Sequence, residues 1–345
     1  MSSPADDPLP RKGIVLGGGG FQSAGATHFV LALIDLDAAR PVAEPVPTAF
    51  LPHGFALHPT SFDRVAVFEK HGPGACEVDL RARAVVRAIP TTAARSYYGH
   101  GAYAPDGATL YATETVRADR RGVLVARDAA TLAELGEVPT HGLAPHDCAL
   151  IEEGRVMVVA NGGGAVGDDK NPPCVTWVEL SSGRLLDRMT LASPRYNAGH
   201  FALSPRGDLA LVSAPRDGLA RPEQHRGALT LRPAGGSART VEDPARVVDR
   251  MLGETLSVAF AGEVVVATSP SGDMVSFWRV DGTCLGAMAM RTPRGVAVTL
   301  DGSALLVSHL TDGAPRLTAF DPTSFAPTGL FVAPSFMTGS HLAVR

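Results

Sequence analysis

The sequence predicts an all-β fold, a seven-bladed β-propeller, and three observations lead to this prediction. A strand-starting segment recurs seven times at anchors 37 to 57 residues apart, and these intervals centre on the roughly 40–50 residues of a propeller blade. Most copies continue as strand, tight polar turn and strand, as in AYAPDGATLYATET and ALSPRGDLALVSA. Thirty-seven glycines and 27 prolines supply the turns between strands. The anchors are His53, His100, His146, His200, Ser257, Arg294 and His341.

The two ends of the sequence are expected to share one blade. The last anchor begins HLAVR, which would be an innermost strand, and KGIVLG (12–17) with THFVLALIDL (27–36) would be the next two strands. Pairing of the N- and C-terminal strands would close the propeller and leave no open sheet edge. We therefore predict one domain over residues 12–345 and a disordered tail over residues 1–11.

One short helix is predicted between blades, near residues 244–252. Asp243 is placed to cap its N-terminus, Pro244 to occupy its first position and Gly253 to follow its end. This insertion accounts for the longest interval between anchors.

Composition excludes several classes of function. The formal net charge is −4 and no basic stripe alternates with aromatic residues, so nucleic acid is not expected as a partner. No apolar run approaches the roughly 18 residues that span a bilayer, so no membrane association is expected. The four cysteines lack CxxC spacing, which favours reduced thiols. The proline-rich, acidic N-terminus is not a signal peptide, which favours a cytoplasmic location. The oligomeric state stays open.

Five of the seven anchors are histidines, although the whole chain has only 11 histidines. Since the inner strands of a propeller line one central channel, these five imidazoles should converge on its axis. Imidazole is the usual ligand of Fe, Cu and Zn, whereas Ca and Mg prefer oxygen. We therefore predict a transition-metal ion, Fe, Cu or Zn, and we favour Fe or Cu over Zn. The alternative is that each histidine only hydrogen-bonds to a neighbouring blade. The predicted ligands are His53, His100, His146, His200 and His341.

Four other residues are catalytic candidates at the mouth of this channel. Arg294 is the sixth anchor and suits an anionic substrate. Tyr97 and Tyr98 precede His100, and His141 precedes His146 as an extra ligand, a proton shuttle or a surface residue.

Two carboxylates are placed to orient ligand imidazoles. Asp147 follows His146, and Glu114 ends the strand after His100. The alternative for both is an ordinary loop hydrogen bond. The glycine-rich GIVLGGGGFQSAG is not followed by the helix that a dinucleotide-binding fingerprint needs, so we interpret Gly17–Gly20 as a strand end and its loop.

Several segments resemble a bacterial family of uncharacterised seven-bladed propellers: HGFALHP, SYYGHGAYAPDGATLYATE, GEVPTHGLAPHDCALIEEGRVMVVANGG and LSVAFAGEVVVATSPSGD. The resemblance extends from Leu51 to His341, and THGLAPHD is its most specific part. It implies a seven-bladed fold and a link to metal handling. Members are typically exported by the twin-arginine route, and their genes often lie beside imelysin-like and iron-uptake genes. This sequence has only Arg11–Lys12 in place of that leader, so a cytoplasmic copy is expected rather than a periplasmic one.

Together these features predict a metal-dependent redox enzyme that acts on a small molecule in the channel mouth. Dioxygen or substrate would take an open position on the metal, and Arg294 with Tyr97 or Tyr98 would position the substrate. One alternative is a non-catalytic metal-binding or interaction propeller in iron or copper handling. Another is a hydrolase or lactonase that uses the metal to activate water.

Overall fold

The computed structural model describes residues 11–345, which form seven four-stranded antiparallel sheets, the predicted blades. Apart from Arg11, the predicted tail over residues 1–11 lies outside the described residues. Blade 1 combines strands from both ends of the sequence. From the axis outward they are β28 (Leu342–Val344), β1 (Ile14–Ser23), β2 (Ala26–Asp35) and β3 (Ala43–Thr48).

Blades 2 to 7 each use four consecutive strands, the first of them innermost. Blade 2 contains β4 (Pro52–Leu57), β5 (Arg64–Glu69), β6 (Ala75–Asp79) and β7 (Ala84–Ala88). Blade 3 contains β8 (Arg95–Tyr103), β9 (Thr109–Val116), β10 (Arg121–Asp128) and β11 (Glu134–Leu143). Blade 4 contains β12 (Pro145–Ile151), β13 (Val156–Asn161), β14 (Cys174–Glu179) and β15 (Leu185–Thr190).

The remaining three blades follow the same order. Blade 5 contains β16 (Phe201–Leu203), β17 (Leu209–Ser213), β18 (Ala228–Arg232) and β19 (Arg239–Thr240). Blade 6 contains β20 (Ser257–Ala261), β21 (Val264–Ser269), β22 (Met274–Trp278) and β23 (Cys284–Ala289). Blade 7 contains β24 (Pro293–Val298), β25 (Leu305–Thr311), β26 (Ala314–Phe320) and β27 (Pro327–Val332).

The predicted closure of blade 1 is confirmed. Strand β28 pairs antiparallel with β1, with Leu342 opposite Gly17 and Val344 opposite Val15. The backbone N–H of Ile14 donates to the Arg345 carbonyl at 2.6 Å, and that of Arg345 donates back at 2.9 Å. The first and last strands therefore belong to one sheet.

The apolar core is divided among the interfaces between neighbouring blades. Each of the seven interfaces holds its own cluster of buried side chains, including the one between blades 7 and 1. In that last cluster Val15 and Ile34 of blade 1 pack with Leu306 and Leu317 of blade 7. Burial of apolar area at about 25 cal/mol per Å² thus holds each blade to both neighbours, and the ring of blades is closed.

The inter-blade helix is present but shorter than predicted. Helix α1 covers Ala245–Val248, and Pro244 precedes it in extended conformation instead of occupying its first turn. Asp243 makes no capping hydrogen bond to it. Leu252 forms a β-bridge with Arg226, so the helix does not extend to the predicted end at residue 252.

Two further findings concern residues 11–345 as a whole. No helix in this range is long and apolar enough to cross a membrane. The four cysteines, all within it, form no disulfide.

Four inner strands carry a β-bulge near their start, and this feature positions the site. The strand pairing shifts register after Pro52 in β4, after Tyr97 in β8, after Pro145 in β12 and after Pro293 in β24. A bulged residue is released from the regular ladder, so its side chain can take a new direction.

Candidate metal centre

Five histidines meet at the end of the hub where the inner strands begin. His53, His100 and His146 lie in the bulges of β4, β8 and β12, and His200 and His341 directly precede β16 and β28. They come from five adjacent blades, blades 1 to 5. We call these five side chains the histidine ring.

The ring nitrogens lie close to the spacing of metal ligands. One nitrogen from each of His53, His100, His200 and His341 lies within 4.8 Å of the others. The Nε2 atom of His146 is 2.6 Å from His200 Nε2, which is 3.3 Å from His53 Nε2. Two nitrogens bound to one tetrahedral ion lie roughly 3.3 Å apart. Small side-chain adjustments would bring four or five of these nitrogens to a common ion.

Two ring members are oriented by partners behind them. His200 Nδ1 lies 2.7 Å from the Leu256 carbonyl, so this nitrogen donates and Nε2 carries the free lone pair. His100 Nδ1 lies 3.1 Å from Asp147 Oδ1, the arrangement in which a carboxylate orients a ligand imidazole. The Asp147 carboxyl also accepts the backbone N–H groups of Cys148 and Phe201. The structure thus places Asp147 in the orienting role that its sequence position suggested.

Three nitrogens of the ring are buried without a hydrogen-bond partner among the described residues. They are Nε2 of His100, Nε2 of His341 and Nδ1 of His146. Each unpaired buried polar atom costs about 1–3 kcal/mol. If these histidines only joined blades together, the nitrogens would be paired. The donor set therefore fits a transition-metal ion better than a hydrogen-bonding role.

The ring favours neutral imidazoles. Burial lowers the pKa of His100 to about 3, and burial with the charge of His100 lowers that of His200 to about 3. The pKa values of His53, His146 and His341 fall well below their usual value, through burial and through the other histidines. Neutral imidazole is the form that binds metal.

A polar cavity of ≈ 240 Å³ opens onto the ring. We call it the mouth pocket; its walls include His146 and His200. Tyr98 also lines it, with its aromatic ring 5.3 Å from that of His146. The charged or titratable side chains along the rest of the wall are Lys70, His71, Asp217 and Glu254.

Tyr97, one of the catalytic candidates, does not reach the mouth pocket. It is fully buried between blades 2 and 3 and donates its hydroxyl to the Ile89 carbonyl at 3.0 Å. Side chains alternate along a strand, so Tyr97 points away from the side that Tyr98 faces.

His141 and Glu114 are also placed away from the ring. His141 lies on β11, the outermost strand of blade 3, with Nε2 2.8 Å from the Gly183 carbonyl. Glu114 is fully buried in ion pairs with Arg127 at 2.5 Å and Arg95 at 3.0 Å. Neither acts on the ring directly.

Arg294 lies at the start of an inner strand, at the same end of the hub as the histidine ring, but its guanidinium group is hydrogen-bonded to the backbone. Its Nε donates to the Gly339 carbonyl at 3.3 Å, within the segment that leads to His341. Ser257, the seventh anchor, accepts the backbone N–H of Val296. These two positions join blades 6 and 7 to their neighbours.

Sequence reasoning missed the charged wall of the mouth pocket. Lys70 and Asp217 follow the second strands of blades 2 and 5, β5 and β17. In a hairpin the second strand ends beside the start of the first, so residues at these positions lie near the ring. Antiparallel strand pairing could therefore have placed Lys70 and Asp217 near the ring from the sequence alone.

The glycine-rich segment was also misinterpreted, because Gly17–Gly20 lies inside β1. A Cβ on Gly18 would come within 2.0 Å of the Pro52 carbonyl oxygen, and one on Gly19 within 1.6 Å of the Phe336 carbonyl oxygen. The bare backbone lets the segments before His53 and His341 approach β1. The glycines therefore position two ligands.

The sequence model of a family described as "Protein of unknown function (DUF1513)" matches residues 46–343. The chain belongs to this family. No curated protein matches this DUF1513 chain. Among solved structures, Kuenenia stuttgartiensis hydrazine synthase is similar, with a TM-score of 0.65 and 13% identity over 86% of this chain and 92% of the other. At this identity the similarity concerns the fold of the DUF1513 chain alone.

Proposed function

We propose that this chain is a metal-dependent redox enzyme, with iron or copper in the histidine ring and a small-molecule substrate in the mouth pocket. The observation that carries the proposal is the pair of buried, unpartnered Nε2 atoms of His100 and His341 within the five-histidine ring. Five convergent imidazoles are a costly arrangement for a protein that binds no metal there.

The donor set fits iron, copper or zinc, and of these only iron and copper support the proposed redox chemistry. All five candidate ligands are nitrogens, which suit Fe, Cu and Zn and not the oxygen-preferring Ca and Mg. When bound, such an ion supplies a redox centre or a Lewis acid. Asp147 and the Leu256 carbonyl hold Nδ1 of His100 and His200, which directs the Nε2 atoms of both residues into the ring.

The mouth pocket gives a substrate access to the ring. His146 and His200 line it, and the ring of Tyr98 lies 5.3 Å from that of His146 at nearly a right angle. A ligand in this cavity would lie against the ring on one side and against charged side chains on the others. These contacts bind and orient it.

The test is metal analysis of protein purified without a histidine tag. We expect about one equivalent of iron or copper per chain, and a visible or electron paramagnetic resonance spectrum that changes with dioxygen or reductant. Absence of stoichiometric Fe, Cu or Zn after reconstitution would contradict the metal centre. A spectrum insensitive to both treatments would favour a non-catalytic metal-binding protein, and a zinc site would favour hydrolysis.

A further inference from the structure

Lys70 is an unexpected residue beside a cation site. Its half-buried side chain lines the mouth pocket together with His146 and His200. Among the described residues Lys70 forms no salt bridge, so no carboxylate of the protein is paired with its ammonium group.

A loaded site would place two positive charges, the metal ion and Lys70, on the same side of the mouth pocket. Five neutral imidazoles leave the full charge of a metal ion uncompensated, and Lys70 adds another positive charge nearby. Like charges in a partly buried site repel by several kcal/mol at short range. Asp147 offsets part of this charge, but it lies behind His100 and not in the cavity. An anion between Lys70 and the metal would offset both charges.

The opposite charges in the same pocket limit what that anion can be. The carboxyl groups of Asp217 and Glu254 line the cavity, and neither makes a salt bridge with another described residue. They repel a second negative charge and favour an ammonium group. A volume of ≈ 240 Å³ accommodates a small molecule that carries both charges.

We propose that the mouth pocket binds a small amino-carboxylate, with its carboxylate between Lys70 and the metal and its ammonium group toward Asp217 and Glu254. The metal contact rests on the proposed function, whereas the charged walls do not. The buried Nδ1 of His146, on the pocket wall and without a partner, is a further polar atom that such a ligand can satisfy.

The test is calorimetric titration of Zn-loaded protein with three probes of similar size: L-alanine, propionate and malonate. We expect alanine to bind most tightly and malonate least. Lys70→Gln should weaken alanine binding at least tenfold, while Lys70→Arg, which keeps the charge, should retain most of it. Lys170→Gln removes the same charge from an exposed position and is the matched control. Circular dichroism and zinc content are measured for every variant.

Three results would overturn this inference. Two of them are tightest binding of malonate and unchanged alanine affinity in folded, zinc-loaded Lys70→Gln protein. Full zinc occupancy without any alanine binding would also overturn it and leave the proposed metal site intact. Repeating the titration on metal-free protein separates the two proposals. If no metal binds but alanine still binds in a Lys70-dependent way, the pocket stands and the metal centre fails.

Discussion

At the residue scale, Asp147 connects three parts of the site. Its carboxyl contacts His100 of blade 3, and it accepts the backbone N–H of Phe201, the residue after His200 in blade 5. Burial raises the pKa of Asp147 to about 6, against the opposing effects of His200 and the two backbone N–H groups. One buried carboxyl thereby positions two ligands.

Replacing Asp147 should therefore weaken metal binding without removing a ligand. We expect Asp147→Asn to lower metal affinity roughly 10- to 100-fold, as other orienting carboxylates do. Competition with a chelator of known affinity measures the change. Asp119→Asn, at an exposed position in blade 3, is the control and should have no effect. Equal affinities for both variants would mean that Asp147 does not orient a ligand.

The histidine ring should also make the metal-free protein sensitive to acid. The pKa values of His100 and His200 are about 3 in the folded protein, whereas an unfolded histidine titrates near about 6.5. Between these values the unfolded chain binds more protons, so the free energy of unfolding falls as the pH falls. Asp147 acts in the opposite direction between about pH 6 and about 4, because its pKa is raised, but it is one group against five.

We expect the urea midpoint of metal-free protein to decrease from pH 7 to pH 4. The decrease should be smaller for His100→Ala, which removes one of the titrating groups. His225→Ala, at an exposed position, should follow the wild-type curve. A urea midpoint that is independent of pH over this range would contradict the lowered pKa values.

Which residues the sequence could identify depended on their periodicity. The five histidines share one phase of the repeat, so they could be identified before any coordinates existed. Tyr97 could not be distinguished from Tyr98, because the bulge in β8 decides which of the two faces the hub. Lys70 does not belong to the repeated histidine pattern, and only strand pairing places it at the mouth pocket.

At the element scale, the bulges of blades 2 and 3 fit against each other. Gly99 has a φ of +108°, and a Cβ there would lie 2.5 Å from His53 Cδ2. A Cβ on Gly54 would lie 2.1 Å from the Gly99 carbonyl oxygen and 2.8 Å from His100 Nδ1. Glycine at these positions allows the first two ligands to approach.

Gly99→Ala should consequently damage both stability and the metal site. Left-handed backbone costs a non-glycine residue about 1–2 kcal/mol, and the new methyl group would displace His53. Gly25→Ala is the matched control, because Gly25 also has positive φ (+79°) but no atom within 4 Å of its Cβ position. We expect similar losses of stability from backbone strain, with metal loss, measured by elemental analysis, in Gly99→Ala alone. Full metal content in Gly99→Ala would show that His53 is not a required ligand.

The strand and hairpin pattern was predictable, whereas the exact geometry of these elements was not. Alternating apolar residues and polar turns identify the hairpins of each blade by local chemistry. The length of helix α1 depended instead on the bridge between Leu252 and Arg226, a tertiary contact with no local signal. The need for glycine at position 18 was equally unpredictable, because it arises from the close approach of Pro52.

At the scale of the whole molecule, strand β28 should matter more than its three residues suggest. Removing residues 342–345 would expose the edge of β1 and open the cluster between blades 7 and 1. We expect the thermal midpoint to fall by about 5 °C or more, since 2 kcal/mol shifts a large domain by about that amount. Scanning calorimetry measures it. A synthetic LAVR peptide should restore part of the loss by pairing with β1. An unchanged midpoint in the truncated protein would show that closure contributes little.

The position of His341 beside β28 has a consequence for how the protein matures. Four ring members belong to consecutive blades, but the fifth arrives only when the strand that completes blade 1 is in place. An ion held by all five would therefore link the C-terminal segment to blades 2 to 5. Its binding free energy would be added to the stability of the closed propeller. A chain in which β28 is not yet paired with β1 would lack His341 at the ring. Full metal loading would therefore occur only after blade 1 has closed.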